Sequence, residues 1–333
     1  MKSVSVIVPC YNEEAHIGYL LEALTRQTYP LESLEVIIAD GMSTDRTREV
    51  IHQFVQKHPQ LRLKIVDNPK RIIPAALNVG LAVAQGDYIV RLDAHSIPAD
   101  DYISRCVSDL EAGLGDNVGG IWLIRPSRPH WIARAIAIAA AHPLGVGDAR
   151  YRHGRTPGLV DTVPFGAFRR ELFDQVGKFD ESLLTNEDYE FNARLRKEGK
   201  RVYLDPAIRS EYIARPTLEA LARQYWRYGY WKFRMLQRYP QTLRWRQALP
   251  PVFVLSIVGL VLMAFFWSWP LYLLVGMVMA YSFTLFLAAI PVAWKNKDAR
   301  LLIGIPLAIA TMHLAWGTGF LWSLLTWLGK RKR

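Results

Sequence analysis

The stretch VRLDAHSIPADDY, residues 90–102, holds the residue types most suited to chemistry. An apolar run from Tyr88 to Leu92 ends abruptly in Asp93, and His95 follows two residues later. A carboxylate and an imidazole at that spacing can clamp a divalent cation over a phosphorylated ligand. Hard oxygen donors suit Mg2+ or Mn2+, and an imidazole nitrogen suits Mn2+ better than Mg2+. The same residues also fit a polar turn at a strand end, with His95 capping the turn or bonding a phosphate directly. Asp100 and Asp101 add carboxylates, but acids favour a helix N-terminus, and they read as the start of the next helix. Similar clusters occur at Pro9-Cys10-Tyr11-Asn12-Glu13 and at Asp40-Gly41. Asp and Asn are common in turns, so one cluster means little, whereas three at successive strand ends point to a site.

The elements that must position these groups alternate in type. VSVIVP (4–9), LEVIIAD (34–40), LRLKIVD (61–67) and YIVRLD (88–93) read as buried strands. Between them lie segments of helical spacing. In the first, Ile17, Leu20, Leu21 and Leu24 share a face and Asn12 is the expected N-cap. The second is capped by Ser43 or Thr44. The third starts near Pro74, a favoured first-turn residue, and stops at Gly86. This alternation predicts an α/β fold with a doubly wound, mostly parallel sheet, whose ligands sit beyond the carboxyl ends of its strands. Neither G-x-G-x-x-G nor G-x-x-x-x-G-K-[ST] occurs, which argues against a dinucleotide oxidoreductase and a P-loop ATPase. Phosphates bound here would need a metal and cationic side chains. A further strand is expected at Gly120–Ile124. Residues 131–147 form an Ala- and Ile-rich stretch that fits an interfacial segment or a buried helix equally. The helix opening near Asn186 places Glu190, Arg194 and Glu198 at four-residue spacing, expected on an exposed face, and Gly199 ends it.

Of the 333 residues, those up to 250 carry nearly all the acids, and 251–327 are almost wholly apolar. The net charge of +11 is concentrated: Arg223, Arg227, Lys232, Arg234, Arg238, Arg244 and Arg246 fall between Ala220 and Gln247 with no acid among them. Aromatic residues interleave with them, a pattern that can bind single-stranded nucleic acid. Directly before an apolar span it instead marks the cytoplasmic face of a bilayer; nucleic acid is not an expected partner, and membrane lipid is. Segments 251–268, 271–291 and 301–328 are each long enough to cross ~30 Å of hydrocarbon. Lys295, Lys297 and Arg300 agree with the cytoplasmic placement of the collar, but three full spans would put Lys330–Arg333 on the other side, against the positive-inside rule. Gly317 and Gly319 leave a re-entrant third segment open. His313 within it reads more simply as a neutral histidine with one partner than as an intramembrane functional group. Two cysteines, Cys10 and Cys106, imply no disulfide framework and suit a reducing compartment. The apolar run Val4–Val8 is too short for a signal-peptide core.

VSVIVPCYNEE, IIADGMSTDRT, LNVGLAVAQGDYIVRLDAH, FGAFRRELF, NEDYEFNARLRKEG and QYWRYG occur in this order. In these motifs the chain resembles the bacterial family 2 inverting glycosyltransferases of GT-A fold with a membrane anchor, most of all the β-glucosyltransferases of succinoglycan and other exopolysaccharides. The likeness covers residues 1 to about 240 by motif and the rest by architecture. It implies a GT-A catalytic domain over 1–215, basic aromatic interfacial helices over 216–250, about three transmembrane or re-entrant helices over 251–328, and a basic tail at 329–333. It implies a UDP-sugar donor, with Pro9, Tyr11 and Glu13 lining the nucleoside pocket, Asp40 on the base, and Asp93 and His95 on a Mn2+ or Mg2+ ion. The common family pattern has a second Asp where this chain has His95. Asn78 and Gly80 match the family's Asn-x-Gly and are assigned structural roles. Asp188 takes the position of the base that removes the acceptor proton, and Glu187 orients the acceptor or the loop, though both acids also suit a helix N-terminus. Gln224 and Tyr228 would border the acceptor and Arg227 would face the diphosphate, or contact only lipid headgroups. Tyr228 stands where the family motif has Trp, which argues against processive synthesis. The expected acceptor is an undecaprenyl-diphosphate-linked oligosaccharide at the cytoplasmic side of the bacterial inner membrane, with other glycan-assembly proteins as further partners. A polyprenyl-phosphate glycosyl synthase and a non-catalytic sugar-nucleotide-binding subunit of an export complex are the competing readings.

Overall fold

The computed structural model describes residues 2–331, so Lys332 and Arg333 of the expected basic tail lie outside the described residues. The chain divides into two units: residues up to Leu123 with Arg150–Tyr212, and Ile124–Ala149 with Ile213 onward. The second unit thus takes 124–149 and starts at 213, where the sequence suggested a single first domain ending at 215. The reason is packing: the Ala-rich helix of that segment shares a core with Leu285, Ala289, Leu301, Ile305 and Met312 of the apolar C-terminal helices.

The first unit is an α/β sheet. Its strands are β1 (Val4–Cys10), β2 (Leu34–Asp40), β3 (Arg62–Asp67), β4 (Tyr88–Arg91), β5 (Ile97–Pro98), β6 (Asn117–Arg125), β7 (Gly158–Leu159), β8 (Ala167–Arg169) and β9 (Val202–Ile213), the last residues of β6 and β9 falling to the second unit. The helices are α1 (Ile17–Thr25), α2 (Thr47–Lys57), α3 (Ile73–Val83), α4 (Tyr102–Glu111), α7 (Arg150–His153), α8 (Leu172–Val176) and α9 (Glu187–Lys197). The sheet order is β3-β2-β1-β4-β8-β6-β9-β5, with β7 on β9. The expectation of a mostly parallel sheet holds only for β3-β2-β1-β4. From β4 onward the pairings of β8 with β4 and β6, and of β5 and β7 with β9, are antiparallel. Parallel pairing needs a crossover connection, and the β–helix–β alternation that supplies it stops at β4. Every residue of β2, and all of β1 but Pro9, is buried, as central strands covered on both faces require. Gly80 on α3 lies so near β1 that a Cβ would sit 2.4 Å from Ile7 Cγ2; its structural role is close helix–sheet packing.

Two expected caps are used differently. Asn12 adopts a left-handed φ of 53°, its side chain accepts from Thr44 N at 2.8 Å, and α1 starts only at Ile17. Ser43 binds Asp40, while Asp45 accepts from Thr47 N at 3.0 Å where α2 begins. The loops after β1 and β2 are laced together instead: Asn12 N donates to Ser43 Oγ (2.9 Å), Glu13 N to Thr47 Oγ1 (2.8 Å) and Arg46 N to Glu14 Oε2 (2.8 Å).

The second unit is helical: α5 (Trp131–Ala139), α6 (Pro143–Val146), α10 (Leu218–Leu236), α11 (Trp245–Ala264), α12 (Trp269–Asn296) and α13 (Leu301–Arg331). The last three are long and apolar enough to cross a membrane. Pro270 occupies the first turn of α12, a position where its missing N–H costs nothing. The third segment is one continuous helix, with no re-entrant break at its glycines. They are contact points. A Cβ at Gly317 would lie 2.5 Å from Pro250 O, and one at Gly319 2.2 Å from Trp226 O. His313 has two partners, Tyr281 Oη at 2.9 Å and Leu144 O at 2.8 Å.

Candidate active site

The carboxyl ends of β1, β2 and β4 bring Pro9, Tyr11, Glu13, Asp40, Asp93 and His95 into the loops at one edge of the parallel half, as the strand register requires. Tyr11 is 46% exposed, with the Arg71 guanidinium over its ring at 5.9 Å from the centroid. Asp40 is fully buried. It accepts from Ser43 N at 3.1 Å and from Arg48 Nε at 2.6 Å, and Arg48 also pairs with Asp67. A base could reach Asp40 only by replacing one of these partners. Glu13 lies between two imidazoles, at 2.9 Å from His95 Nδ1 and 3.1 Å from His16 Nδ1. A carboxylate on one ring nitrogen fixes the orientation of a histidine and raises its basicity as a metal ligand.

The decisive residue is Arg91, the last residue of β4. It is only 5% exposed. Its Nη2 lies 3.1 Å from Asp93 Oδ1 and 2.9 Å from Glu187 Oε1, and its Nη1 lies 3.6 Å from Asp188 Oδ2. One guanidinium therefore joins the carboxylate after β4 to the two acids opening α9. Burial works against its charge, yet Asp93, Glu187 and Asp188 together push its pKa above the usual guanidinium value. Burial pushes the Glu187 carboxyl up to about 7, with Arg91 opposing it. Asp188 is also raised by burial, though it keeps 34% of its side-chain surface exposed. It is thus the more accessible acid. A charged residue inside an otherwise apolar strand was the available signal, since such groups are almost never buried unless paired.

Buried polar links fix α9. Asn192 Nδ2 donates to Thr162 Oγ1 at 2.9 Å, and Asn117 Nδ2 donates to Asn192 Oδ1 at 2.5 Å. Glu190 is 1% exposed and pairs with Arg194 at 3.0 Å; the expected exposed face is buried there, because Arg194 also reaches inward to the Val176 and Lys178 carbonyls. Asn78 exchanges bonds with Phe179 in both directions, each at 3.0 Å, tying α3 to the loop that leads to α9. Gly199, in the left-handed region, ends the helix as expected.

Gln224, Arg227 and Tyr228 lie in the second unit, on α10. Gln224 Nε2 donates to Tyr228 Oη at 2.9 Å. Arg227 lines a groove of about 720 Å³ with Arg223 and Trp226 on α10 and Thr311, Leu314 and Thr318 on α13.

This geometry defines a class: an α/β unit that gathers acids and a buried arginine beyond its strand ends, followed by a helical unit with three long apolar helices. Residues 5–177 match the family model described as glycosyl transferase family 2, and the chain belongs to that family. It is 32% identical over 326 residues, 96% of this chain and 94% of the other, to the succinoglycan biosynthesis protein ExoA of Rhizobium meliloti (strain 1021). It is 27% identical over 331 residues, 98% of each, to the dolichyl N-acetyl-alpha-D-glucosaminyl phosphate 3-beta-D-2,3-diacetamido-2,3-dideoxy-beta-D-glucuronosyltransferase of Methanococcus voltae. In fold it matches the mannosyltransferase PcManGT from Pyrobaculum calidifontis, solved with GDP-Man and Mn2+, at TM-score 0.68 and 21% identity, over 96% of this chain and 87% of that one. The protein is a glycosyltransferase of GT-A-like fold.

Proposed function

We propose that the protein transfers a hexose, glucose in the first instance, with inversion, from a UDP-sugar to a hydroxyl of an undecaprenyl-diphosphate-linked oligosaccharide at the cytoplasmic face of the bacterial inner membrane. The observation that carries this is the Arg91 bridge, which gathers the donor-side Asp93 and the acids Glu187 and Asp188 around one cation. The likeness to a succinoglycan biosynthesis protein and to an enzyme named for a dolichyl-phosphate-linked sugar supports a lipid-linked acceptor.

Among the described residues no three His, Cys, Asp or Glu side chains are grouped to hold an ion by themselves. Asp93 and His95, the latter held through Nδ1 by Glu13, are the side chains that would hold one. A divalent ion there would supply Lewis-acid stabilisation of the leaving diphosphate, and the family neighbour's Mn2+ supports that assignment. The protein's own part is proton transfer and orientation. Asp188 accepts the proton of the acceptor hydroxyl as its oxygen attacks the anomeric carbon. The bond from that carbon to the diphosphate breaks on the opposite face, and UDP departs. Arg91 holds Asp188 ionised and orients Glu187, while Tyr11 stacks on the nucleobase.

The test is UDP release by the detergent-solubilised protein across a panel of UDP-sugars, with Mn2+, Mg2+ or EDTA, and with or without membrane lipid extract. Metal-dependent release that the extract stimulates is expected, with loss of turnover by about 10²–10⁴-fold in Asp188→Asn while UDP binding persists. Release unaffected by Asp188→Asn would remove its claim to be the base.

A further inference from the structure

We infer that the groove between α10 and α13 binds one bilayer phospholipid with an anionic headgroup, its phosphate held by Arg223 and Arg227 and one acyl chain laid along the α13 wall. Both walls belong to the helical unit, so the site is independent of the sugar transferred.

The two helices are locked together at their backbones. A Cβ added at Gly229 of α10 would lie 2.1 Å from Trp316 O, and one at Gly319 of α13 would lie 2.2 Å from Trp226 O. Further along, Phe233 stacks edge-on against Phe320 and Trp327. On the N-terminal side of this contact the side chains facing each other are short: Ala222 on α10, and Thr311, Ala315 and Thr318 on α13. A groove of about 720 Å³ opens there. The glycine contacts hold its walls apart at a fixed distance, so the groove is formed before any ligand enters, as binding sites usually are.

Its floor is apolar despite the threonines. Thr311 Oγ1 donates to Leu307 O at 2.7 Å and Thr318 Oγ1 to Leu314 O at 2.8 Å, so both hydroxyl protons are satisfied within α13 itself. Leu314 completes that wall. Trp226, stacked on Tyr230 with ring centroids 5.4 Å apart, forms the other. A soluble anion gains nothing from such a surface, whereas an acyl chain gains from all the apolar area it buries.

The arginines set the headgroup. Arg223 and Arg227 both line the groove, and four-residue spacing puts them on one face of α10. Arg223 reaches only Glu219, at 3.6 Å with the side chains 72% and 79% exposed, a pair that contributes little. Among the described residues, no hydrogen bond or ion pair joins Arg227 to another. Glu219 is the one acid of α10, and α13 has none. Cations held against a helix apolar enough to cross a membrane need a counter-charge, and these two helices do not supply it. A phosphate diester does. Guanidinium groups take its oxygens in a two-pronged fashion, and basic pockets between apolar helices suit acidic lipid headgroups. A zwitterionic lipid would bring its own cation up to the arginines, so net negative charge is selected.

Native mass spectrometry of the delipidated, detergent-solubilised protein tests this by counting bound lipid. One phosphatidylglycerol per chain is expected, held about tenfold more tightly than phosphatidylcholine. Arg223→Gln combined with Arg227→Gln should abolish that preference. Lys295→Gln, which removes an exposed cation outside the groove, should leave it intact. Ala222→Phe fills the groove while keeping both arginines, and should weaken phosphatidylglycerol about tenfold; it decides the matter if the arginine double variant unfolds. Equal binding of the two lipids overturns the inference. So does a loss in Lys295→Gln matching that of the double variant, which would mean general charge attraction, and so does Ala222→Phe that binds like the parent. Inorganic phosphate that displaces phosphatidylglycerol at a similar concentration would reduce the site to a headgroup contact and overturn it. Undecaprenyl diphosphate that displaces it at a lower concentration would assign the groove to the acceptor, and would overturn it too.

Discussion

Replacing Arg91 by Met removes the one cation shared by Asp93, Glu187 and Asp188. Arg91 and Glu187 each keep only 6% of their side-chain surface, and breaking such a buried pair costs about 3–5 kcal/mol when the remaining charge stays unpaired. The acids escape part of that cost by taking up protons. Burial already pushes Glu187 up to about 7 and raises Asp188, and Arg91 is the group that pulls both down. A carboxyl whose folded pKa lies above its unfolded value stabilises the fold at low pH and loses that contribution as pH rises through the folded pKa. The destabilisation of Arg91→Met should therefore be small near pH 5 and largest near pH 9. About 3 kcal/mol of lost attraction, at about 1.4 kcal/mol per unit and divided between two acids that titrate as a pair, corresponds to roughly one unit. The acid limb of kcat should move up by about one pH unit, so turnover at pH 7 falls roughly fivefold and recovers towards pH 9. Arg91→Lys keeps the charge but not the fork that reaches several carboxylates, and should shift the limb by less. UDP release at saturating substrates between pH 5.5 and 9.5, beside thermal unfolding at the same pH values, reads both effects. An unshifted limb, or a loss of turnover equal at every pH, would refute the reasoning and leave Arg91 a packing element or a direct substrate contact.

Three further outcomes follow from the same geometry. Asp109 has one carboxylate oxygen buried with no hydrogen-bond partner among the described residues, and burial, with Asp205 adding to it, pushes its pKa up to about 6. Asp109→Asn should stabilise the protein by about 1 kcal/mol at pH 8, a figure discounted for partial exposure, and confer no gain at pH 4.5, as thermal unfolding would show. Gly319→Leu must force the α10 and α13 backbones apart and should cost about 1–3 kcal/mol with a lower melting temperature in detergent, whereas Gly329→Ala should stay within about 0.5 kcal/mol of the parent. His95→Asp exchanges nitrogen for a hard oxygen donor, so UDP release supported by Mg2+ should rise severalfold relative to that supported by Mn2+; an unchanged ratio would argue that His95 does not bind the ion.

What was legible in the sequence is the position of the polar groups that close the strands. Apolar β-branched runs such as Val4–Pro9 and Leu34–Asp40 are long enough to show their period, so the polar groups that close them fall together. What stayed hidden depends on partners far away in the chain. Arg91 sits in a four-residue strand, and its partner Glu187 is 96 positions on. Glu190 and Arg194 show how four-residue spacing can mislead: the same pair that would decorate a solvated face here forms an inward staple. The antiparallel half was illegible because β5 and β7 have two residues each and β8 three, too few to display alternation. Gly317 and Gly319 were ambiguous for a different reason. A glycine in an apolar helix signals either a break or a close neighbour, and only the neighbour decides; Trp226 and Pro250 decide for contact.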